Sequence, residues 1–251
     1  MSESANSGDA KAGIRLNRFL AMAGIGSRRV CDELIQKGMV QVNGVIQVEP
    51  ATRVVEGRDQ VEFQGRPVNL VHETHYYIFN KPRGVITTTS DPFGRPIVVD
   101  FLPGDARIYP VGRLDFDTTG ALLLTNDGDV AYRLTHPKFQ IPKVYQVLVR
   151  GNPPEATLRR VEAGIEIEAG FVARGEINGF WYRGGNTEVR LTLREGKKRE
   201  VKRIFRTLGH PVVRLHRESF AALTVTGLKP GEWRELTPEE VRELKELVHG
   251  H

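Results

Sequence analysis

Apolar positions along residues 14–48 recur in two rhythms. Leu16, Phe19, Leu20 and Ala23 fall at i, i+3, i+4 and i+7, the single stripe of an amphipathic helix, and predict a helix over residues 15–23 broken by Gly24 and Gly26. Ser27 is placed to cap a second helix with Val30, Leu34 and Ile35 on its inner face and Gly38 as its stop. The rhythm then changes to alternation. Residues 39–42 and 45–48 flank Asn43-Gly44, two residues that tolerate positive φ, and predict a hairpin. Val54, Val55, Val61 and Phe63 add strand material. The first module is thus two helices and a hairpin over residues 13–69, bounded by a Pro- and Gly-containing passage at 64–73.

Residues 70–251 follow a different pattern. Tyr76 to Asn80 reads as a buried strand closed by a turn at Lys81-Pro82-Arg83-Gly84, and Leu122 to Leu124 as a core strand that holds residues 113–120 as a loop between buried ends. Asp127-Gly128 reads as a turn. Val144 to Val149 alternates, and further strands are predicted near 165–167, 171–179, 187–193 and 212–216. Helices are predicted from Pro153-Pro154 to about Glu162, over 198–208, and from the Thr237-Pro238-Glu239-Glu240 capping layout to about Leu247. Many strands, few helices and long loops predict a mixed, mainly antiparallel α+β domain.

Charge changes this picture. The 251 residues carry 36 Lys and Arg against 31 Asp and Glu, a formal balance of +5. Between Arg190 and Arg217, however, ten Lys and Arg face two Glu, a net of +8, so the remainder nets −3. A basic focus on a near-neutral body is the footprint of a nucleic-acid surface, and Lys197, Lys198, Arg199 and Arg203 within it are expected to meet phosphate. The single cysteine, Cys31, has no partner in the chain; it excludes an internal disulfide and a multi-cysteine zinc site and suits a reducing, cytoplasmic compartment. Residues 1–12 are small and polar, the composition of a disordered leader and not of a signal peptide or membrane anchor.

The chemistry is less legible from residue types alone. Asp115 and Asp117 could form a glycosidase carboxylate pair or an Asp-x-Asp metal site, but nothing near them completes a ligand set, and His136, His210 and His216 lack metal spacing. Glu195-Gly196-Lys197-Lys198 is not a nucleotide-binding P-loop, because Leu191 stands at its first Gly and Lys198 at its Ser or Thr.

Two resemblances extend the reading. The stretch RLNRFLAMAGIGSRRVCDELIQKGMVQVNG resembles an S4 RNA-binding domain, with its helix, Ser-Arg-Arg turn, second helix and V-x-V-N-G hairpin. It implies that Arg15, Arg18, Arg28 and Arg29, which lie off the apolar stripes, face structured RNA. The stretches NKPRGVITTTSDPFGRPIVVDFLP, YPVGRLDFDTTGALLLTNDG, KVYQVLV and EGKKREVKRIFRTLGHPVVRLHR resemble, in order, the RsuA/RluB/RluE/RluF family of rRNA pseudouridine synthases, with the REV form nearest the RluB, 23S rRNA, branch. In that likeness Asp115 of GRLD is the catalytic aspartate, Tyr145 of KVY stacks on the target base, and Lys202 of REVKR pairs with the aspartate. Arg113 approaches the flipped nucleotide, and Lys81, Arg83 and Arg95 are further RNA contacts. Glu200 stands where many relatives have Gln. Asp117, Thr118 and Thr119 are expected to brace the catalytic loop.

The implied reaction needs no cofactor and no metal, since uridine is isomerised without redox change or net hydrolysis. The carboxylate must act ionised, a form that an adjacent cation favours, and the base must leave its stack to be reached. The implied partner is ribosomal RNA, as 23S rRNA or a large-subunit assembly intermediate, bound by a monomer away from any membrane. The rival reading is a non-catalytic S4-type RNA-binding or ribosome-assembly protein using the same surfaces.

Overall fold

A computed structural model of the chain describes residues 13–70, 73–103 and 107–249; the expected leader at 1–12 lies outside them. The chain divides into two compact units, the first ending at Thr74 and the second beginning at His75.

In the first unit β1 (Ile14–Arg15) leads into α1 (Leu16–Met22), and α2 (Arg28–Gln36) follows after a turn. Ser27 caps α2, its Oγ accepting a hydrogen bond from the Val30 amide at 3.2 Å. Asn43 and Gly44, at φ 51° and 77°, turn β2 (Val40–Val42) into β3 (Val45–Gln47). β4 (Arg53–Val54) pairs with β1, while β5 (Val61–Phe63) and β6 (Arg66–Pro67) extend the hairpin to a four-stranded sheet in the order β3-β2-β5-β6. The α1 stripe packs as expected, but the inner face of α2 is rotated by one position. Val30 is 44% exposed, and Cys31 is buried beside Ile35 in the core with Leu16, Leu20 and Val40.

The second unit carries β7 (Tyr76–Lys81), β8 (Tyr109–Pro110), β9 (Thr119–Thr125), α3 (Gly128–Thr135), β10 (Lys143–Arg150), α4 (Glu155–Ala163), β11 (Ile165–Glu168), β12 (Phe171–Ala173), β13 (Glu176–Arg183), β14 (Asn186–Leu193), α5 (Glu200–Thr207), β15 (Val212–Phe220), β16 (Leu223–Thr224), β17 (Trp233–Glu235) and α6 (Pro238–His249). Its main sheet runs β13-β14-β10-β15-β9-β7-β17, antiparallel except where β15 meets β9. The α+β class read from the sequence holds.

β7 and β9 read as unbroken apolar runs because both of their faces are covered. Tyr76, Ile78 and Leu123 face a core shared with Val130 and Leu134 of α3 and Leu244 and Val248 of α6. Tyr77, Phe79, Leu122 and Leu124 face the opposite core with Val85, Val98 and Leu114. β10, β14 and β15 alternate instead, burying Val147, Val149, Val189, Leu191 and Leu215 against Leu158 of α4 and Ile204 and Phe205 of α5.

Two expectations are corrected, and one strand went unread. Asp127-Gly128 is no simple turn: Asp127 caps α3, its Oδ1 accepting from the amides of Asp129 and Val130 at 3.0 and 3.1 Å. The strand sought at 171–179 is two, β12 and β13, and β17 was unread because its three residues carry no period. Gly120 explains the parallel contact. At φ 107° its missing Cβ would stand 2.2 Å from the Arg217 carbonyl oxygen, so only glycine lets β9 approach β15 there.

Candidate active site

Residues 113–118 lie between the half-buried β8 and the buried β9 and are tied down from below. Lys81, last residue of β7, is fully buried, and its Nζ donates to the carbonyl oxygens of Pro82 at 3.1 Å, Asp115 at 3.2 Å and Thr118 at 3.0 Å. The Thr87 hydroxyl donates to the Leu114 carbonyl at 2.8 Å and accepts from the Leu114 amide at 3.3 Å, and the Gly84 amide donates to the Phe116 carbonyl at 2.8 Å. The expectation that Lys81 contacts RNA is therefore corrected. It ends a strand whose six residues are all buried, and its ammonium is spent on backbone. Burial lowers its pKa from 10.5 to about 8, with Asp117 and Asp115 opposing the shift.

Above this anchor the two loop carboxylates share one cation. Lys202, on the first turn of α5, places Nζ 3.1 Å from an Asp115 carboxylate oxygen and 2.5 Å from one of Asp117. Arg199 lies 3.9 Å from Asp115. It precedes α5 at φ 55°, a left-handed conformation sparsely populated by residues with a side chain. The pairing of Lys202 with Asp115 read from the likeness is present, but Asp117 is its nearer partner and so does more than brace the loop. The hydrogen bond from Lys202 holds the Asp117 carboxyl below its ordinary pKa. Thr119, expected as a brace, binds His216 Nδ1 through its hydroxyl at 2.9 Å.

This sharing makes the two carboxylates separable by experiment. Both are partly exposed, so the Asp117 pair is worth about 1 kcal/mol after solvent screening. For the activity that the motifs' resemblance implies, Asp117→Asn is expected to lower the single-turnover rate about tenfold by loosening Lys202. A variant as inactive as Asp115→Asn would make Asp117 an equal partner in the chemistry.

Behind the pair lies a buried polar layer that sequence reading missed. Tyr145 on β10 is 9% exposed and stands in register with Arg217 of β15, which in turn pairs with Gly120. Arg217, counted by sequence within the basic surface, is 2% exposed. Its Nε donates to the Ala121 carbonyl at 2.6 Å, and its guanidinium lies 5.0 Å from the centre of the Phe220 ring. Burial lowers its pKa, and Tyr145 opposes that shift. The signal was available, since Leu215, Arg217 and Ser219 share one face of an alternating strand.

Glu200 is also buried, at 3% exposure, because Glu200, Val201, Ile204 and Phe205 form the inner face of α5. One carboxylate oxygen accepts from the Lys197 amide at 2.8 Å, while desolvation raises the pKa of the group. A carboxyl biased toward its neutral form resembles an amide in its hydrogen bonding. Because the folded pKa lies above the unfolded one, the group costs stability once pH rises past the ordinary carboxylate range. Glu200→Gln should therefore raise Tm at pH 8 and change it less at pH 4; thermal melts showing the opposite order would contradict this assignment.

The expected RNA contacts divide. In the first unit Arg15, Arg18, Arg28 and Arg29 are exposed, and in the second so are Arg83, Arg113, Lys197, Lys198 and Arg199. Arg203 is committed to Glu168 at 2.8 Å and the Ile167 carbonyl at 3.0 Å. Arg95 is bound by Asp91 at 2.6 Å. Among the described residues no helix is long and apolar enough to cross a membrane.

The two-helix-and-hairpin unit and the mixed sheet that carries the pinned carboxylate loop both have relatives among known proteins. Residues 14–59 match the S4 domain and residues 75–207 the RNA pseudouridylate synthase family. The chain is 44% identical over 240 residues to the ribosomal large subunit pseudouridine synthase B of Bacillus subtilis (strain 168), covering 94% of this chain and 98% of that protein. It is 40% identical over 237 residues to an uncharacterized RNA pseudouridine synthase of Aquifex aeolicus (strain VF5), covering 94% and 95%. A crystal structure of a pseudouridylate synthase superposes with a TM-score of 0.66 at 29% identity, over 94% of this chain and 100% of that one. The chain belongs to the RNA pseudouridylate synthase family, in the S4-bearing RsuA/RluB group that its motifs resemble.

Proposed function

We propose that the protein isomerises a specific uridine of 23S rRNA to pseudouridine in the bacterial cytoplasm, with Asp115 as the essential carboxylate. The observation that carries this reading is the Asp115–Lys202 pair at 3.1 Å on a loop whose backbone is hydrogen-bonded to a buried lysine. The similarity to the large-subunit enzyme of Bacillus subtilis supports the choice of subunit.

The reaction breaks the bond from N1 of uracil to C1′, turns the base while it is held, and forms a bond from C5 to the same C1′. The proton on C5 is lost and N1 ends protonated, so atoms and charge balance without oxidant or hydrolytic water. Asp115 acts as the ionised group at the sugar, by attack at C1′ or removal of the C2′ proton. Tyr145 offers the flipped base a ring and a phenol oxygen, and stands in register with the buried Arg217. Arg113, Lys197, Lys198 and Arg199 hold the phosphates around the displaced nucleotide, and the exposed arginines of the S4 unit bind RNA shape and backbone.

Purified protein should release tritium from a 23S rRNA transcript carrying C5-tritiated uridine, and none from a 16S transcript. Release from 16S alone would move the substrate to the small subunit. Absence of release from either would leave an RNA-binding protein.

A further inference from the structure

The catalytic loop has a neighbour that displays an aromatic ring to solvent. Phe93 is 79% exposed, the highest value among the exposed large hydrophobic residues described. The segment that carries it is held in one shape. Asp91, whose side chain is 5% exposed, accepts from the amides of Phe93 at 3.1 Å and Arg95 at 3.0 Å and from the Arg95 guanidinium at 3.2 and 2.6 Å. The guanidinium carbon of Arg95 lies 5.1 Å from the Phe93 ring centre, a cation–π arrangement.

The base of the segment is continuous with the site. The Ile86 amide donates to the Pro96 carbonyl at 2.9 Å and the Ile86 carbonyl accepts from the Val98 amide at 3.0 Å, a parallel bridge to Ile97 that closes residues 86–98 into a loop. Next to Ile86, Thr87 is bonded to Leu114, the residue before Asp115. Phe116, between the two carboxylates, is itself 54% exposed. A buried carboxylate is thus used to fix a phenyl ring and a cation in water, where packing alone gives the ring no reason to be.

We propose that Phe93, backed by Arg95, is a stacking site for an unpaired base of the RNA strand beside the target uridine. This assignment rests on the rRNA-modifying function proposed above. A nucleobase is the ligand this chemistry suits: it has a π-face for the ring, its strand brings phosphate to the cation, and extrusion of the uridine leaves a neighbour without its stacking partner. Arg95, expected to be the contact itself, becomes the support of the ring, which makes Phe93 a specificity residue for the RNA segment and not a catalytic one.

The test uses the full chain with the C5-tritiated 23S rRNA transcript and compares Phe93→Ala, Phe93→Leu and Phe93→Trp. Phe93→Ala and Phe93→Leu should each lower kcat/KM about tenfold, mainly through KM, within the range of aromatic–base stacking, and Phe93→Trp should restore it. The indole introduced by Phe93→Trp should have its fluorescence quenched by the transcript beyond the change that Trp181 and Trp233 show in the parent. Melting temperatures near the parent's would show that an exposed ring, not folding, was removed. Unchanged kcat/KM in Phe93→Ala, or full activity in Phe93→Leu, overturns the proposal, as does an introduced indole that the transcript leaves unquenched; the ring would then serve a protein contact. Failure of the rRNA reading looks different: the parent releases no tritium, whereas quenching of the introduced indole still reports whether a base stacks.

Discussion

Lys81→Met is expected to cost about a hundredfold in pseudouridine formation while leaving a folded protein. The three hydrogen bonds from Lys81 hold the carbonyls of Pro82, Asp115 and Thr118, and no other side chain described reaches the Asp115 and Thr118 oxygens from beneath. Losing them frees the backbone that carries the carboxylate, and a displacement near 1 Å is worth about two orders of magnitude in rate. The effect on stability is smaller, because about 1 kcal/mol for each lost hydrogen bond is offset by removing a desolvated charge.

The sign of the pH dependence follows from burial. Lys81 and Lys143 both titrate near 8 in the folded chain against an ordinary value of 10.5. Between those values the unfolded chain keeps protons that the folded chain has released, so stability rises with pH across the window; below pH 8 the buried charges weigh against folding. Lys81→Met should remove its share of that rise, read from melts at about pH 7.5 and about pH 9.5, and should speed hydrogen exchange at residues 113–118. Full activity with unchanged exchange would mean that the loop is held by Thr87 and Gly84 alone.

Asp115→Asn is expected to lower the rate about 10⁴-fold or more, the scale on which removal of a group that meets the reacting atoms is felt. The isosteric amide keeps the loop geometry, because Lys81 binds the main-chain carbonyl of residue 115 and not its side chain. It removes the only property the chemistry needs, a negative oxygen that can attack or accept a proton. RNA affinity should change less than about threefold, since phosphate contacts from distant arginines supply most of it. The contrast with the tenfold loss expected of Asp117→Asn is informative. Both carboxylates touch Lys202, so their different consequences would have to arise from position and not from the shared ion pair.

The parts legible in the sequence were those in which local pattern and tertiary role agree. The Asn43-Gly44 hairpin, the α1 stripe and the Thr237–Glu240 capping box are decided by neighbouring residues; Thr237 and Glu240 do exchange hydrogen bonds, at 3.2 and 2.9 Å. The candidate site was legible as motifs, and the fold brings Asp115 and Lys202 within 3.1 Å of each other. What stayed hidden was burial of charge. Lys81 was read as RNA-facing and Arg217 as part of the basic surface, and Glu200 was not marked as interior, because charged residues seldom lie inside. Yet Arg217 and Glu200 occupy inward positions of a strand and a helix whose periods were visible, Lys81 ends a strand buried on both faces, and each is kept inside by backbone partners that only the tertiary structure supplies. The same error inflated the basic focus: within the +8 stretch Arg217 is interior, and Arg190 and Arg203 are engaged by Glu218 and Glu168. The cations left in solvent beside Asp115 are concentrated at Lys197, Lys198 and Arg199. Helix α3 was missed for a related reason, as its Gly128, Asp129 and Thr135 have low helix propensity and its stability comes from Val130 and Leu134 packing under α6.

Isomerisation of a large-subunit uridine through Asp115, proposed above, is tested most directly by mapping pseudouridines in 23S rRNA from cells that lack the gene and carry either the wild-type chain or Asp115→Asn. The account predicts that a discrete 23S site loses its pseudouridine in the deletion strain, regains it with the wild-type chain and does not regain it with Asp115→Asn. Restoration by Asp115→Asn, or a deletion strain whose 23S rRNA keeps every pseudouridine, would contradict it.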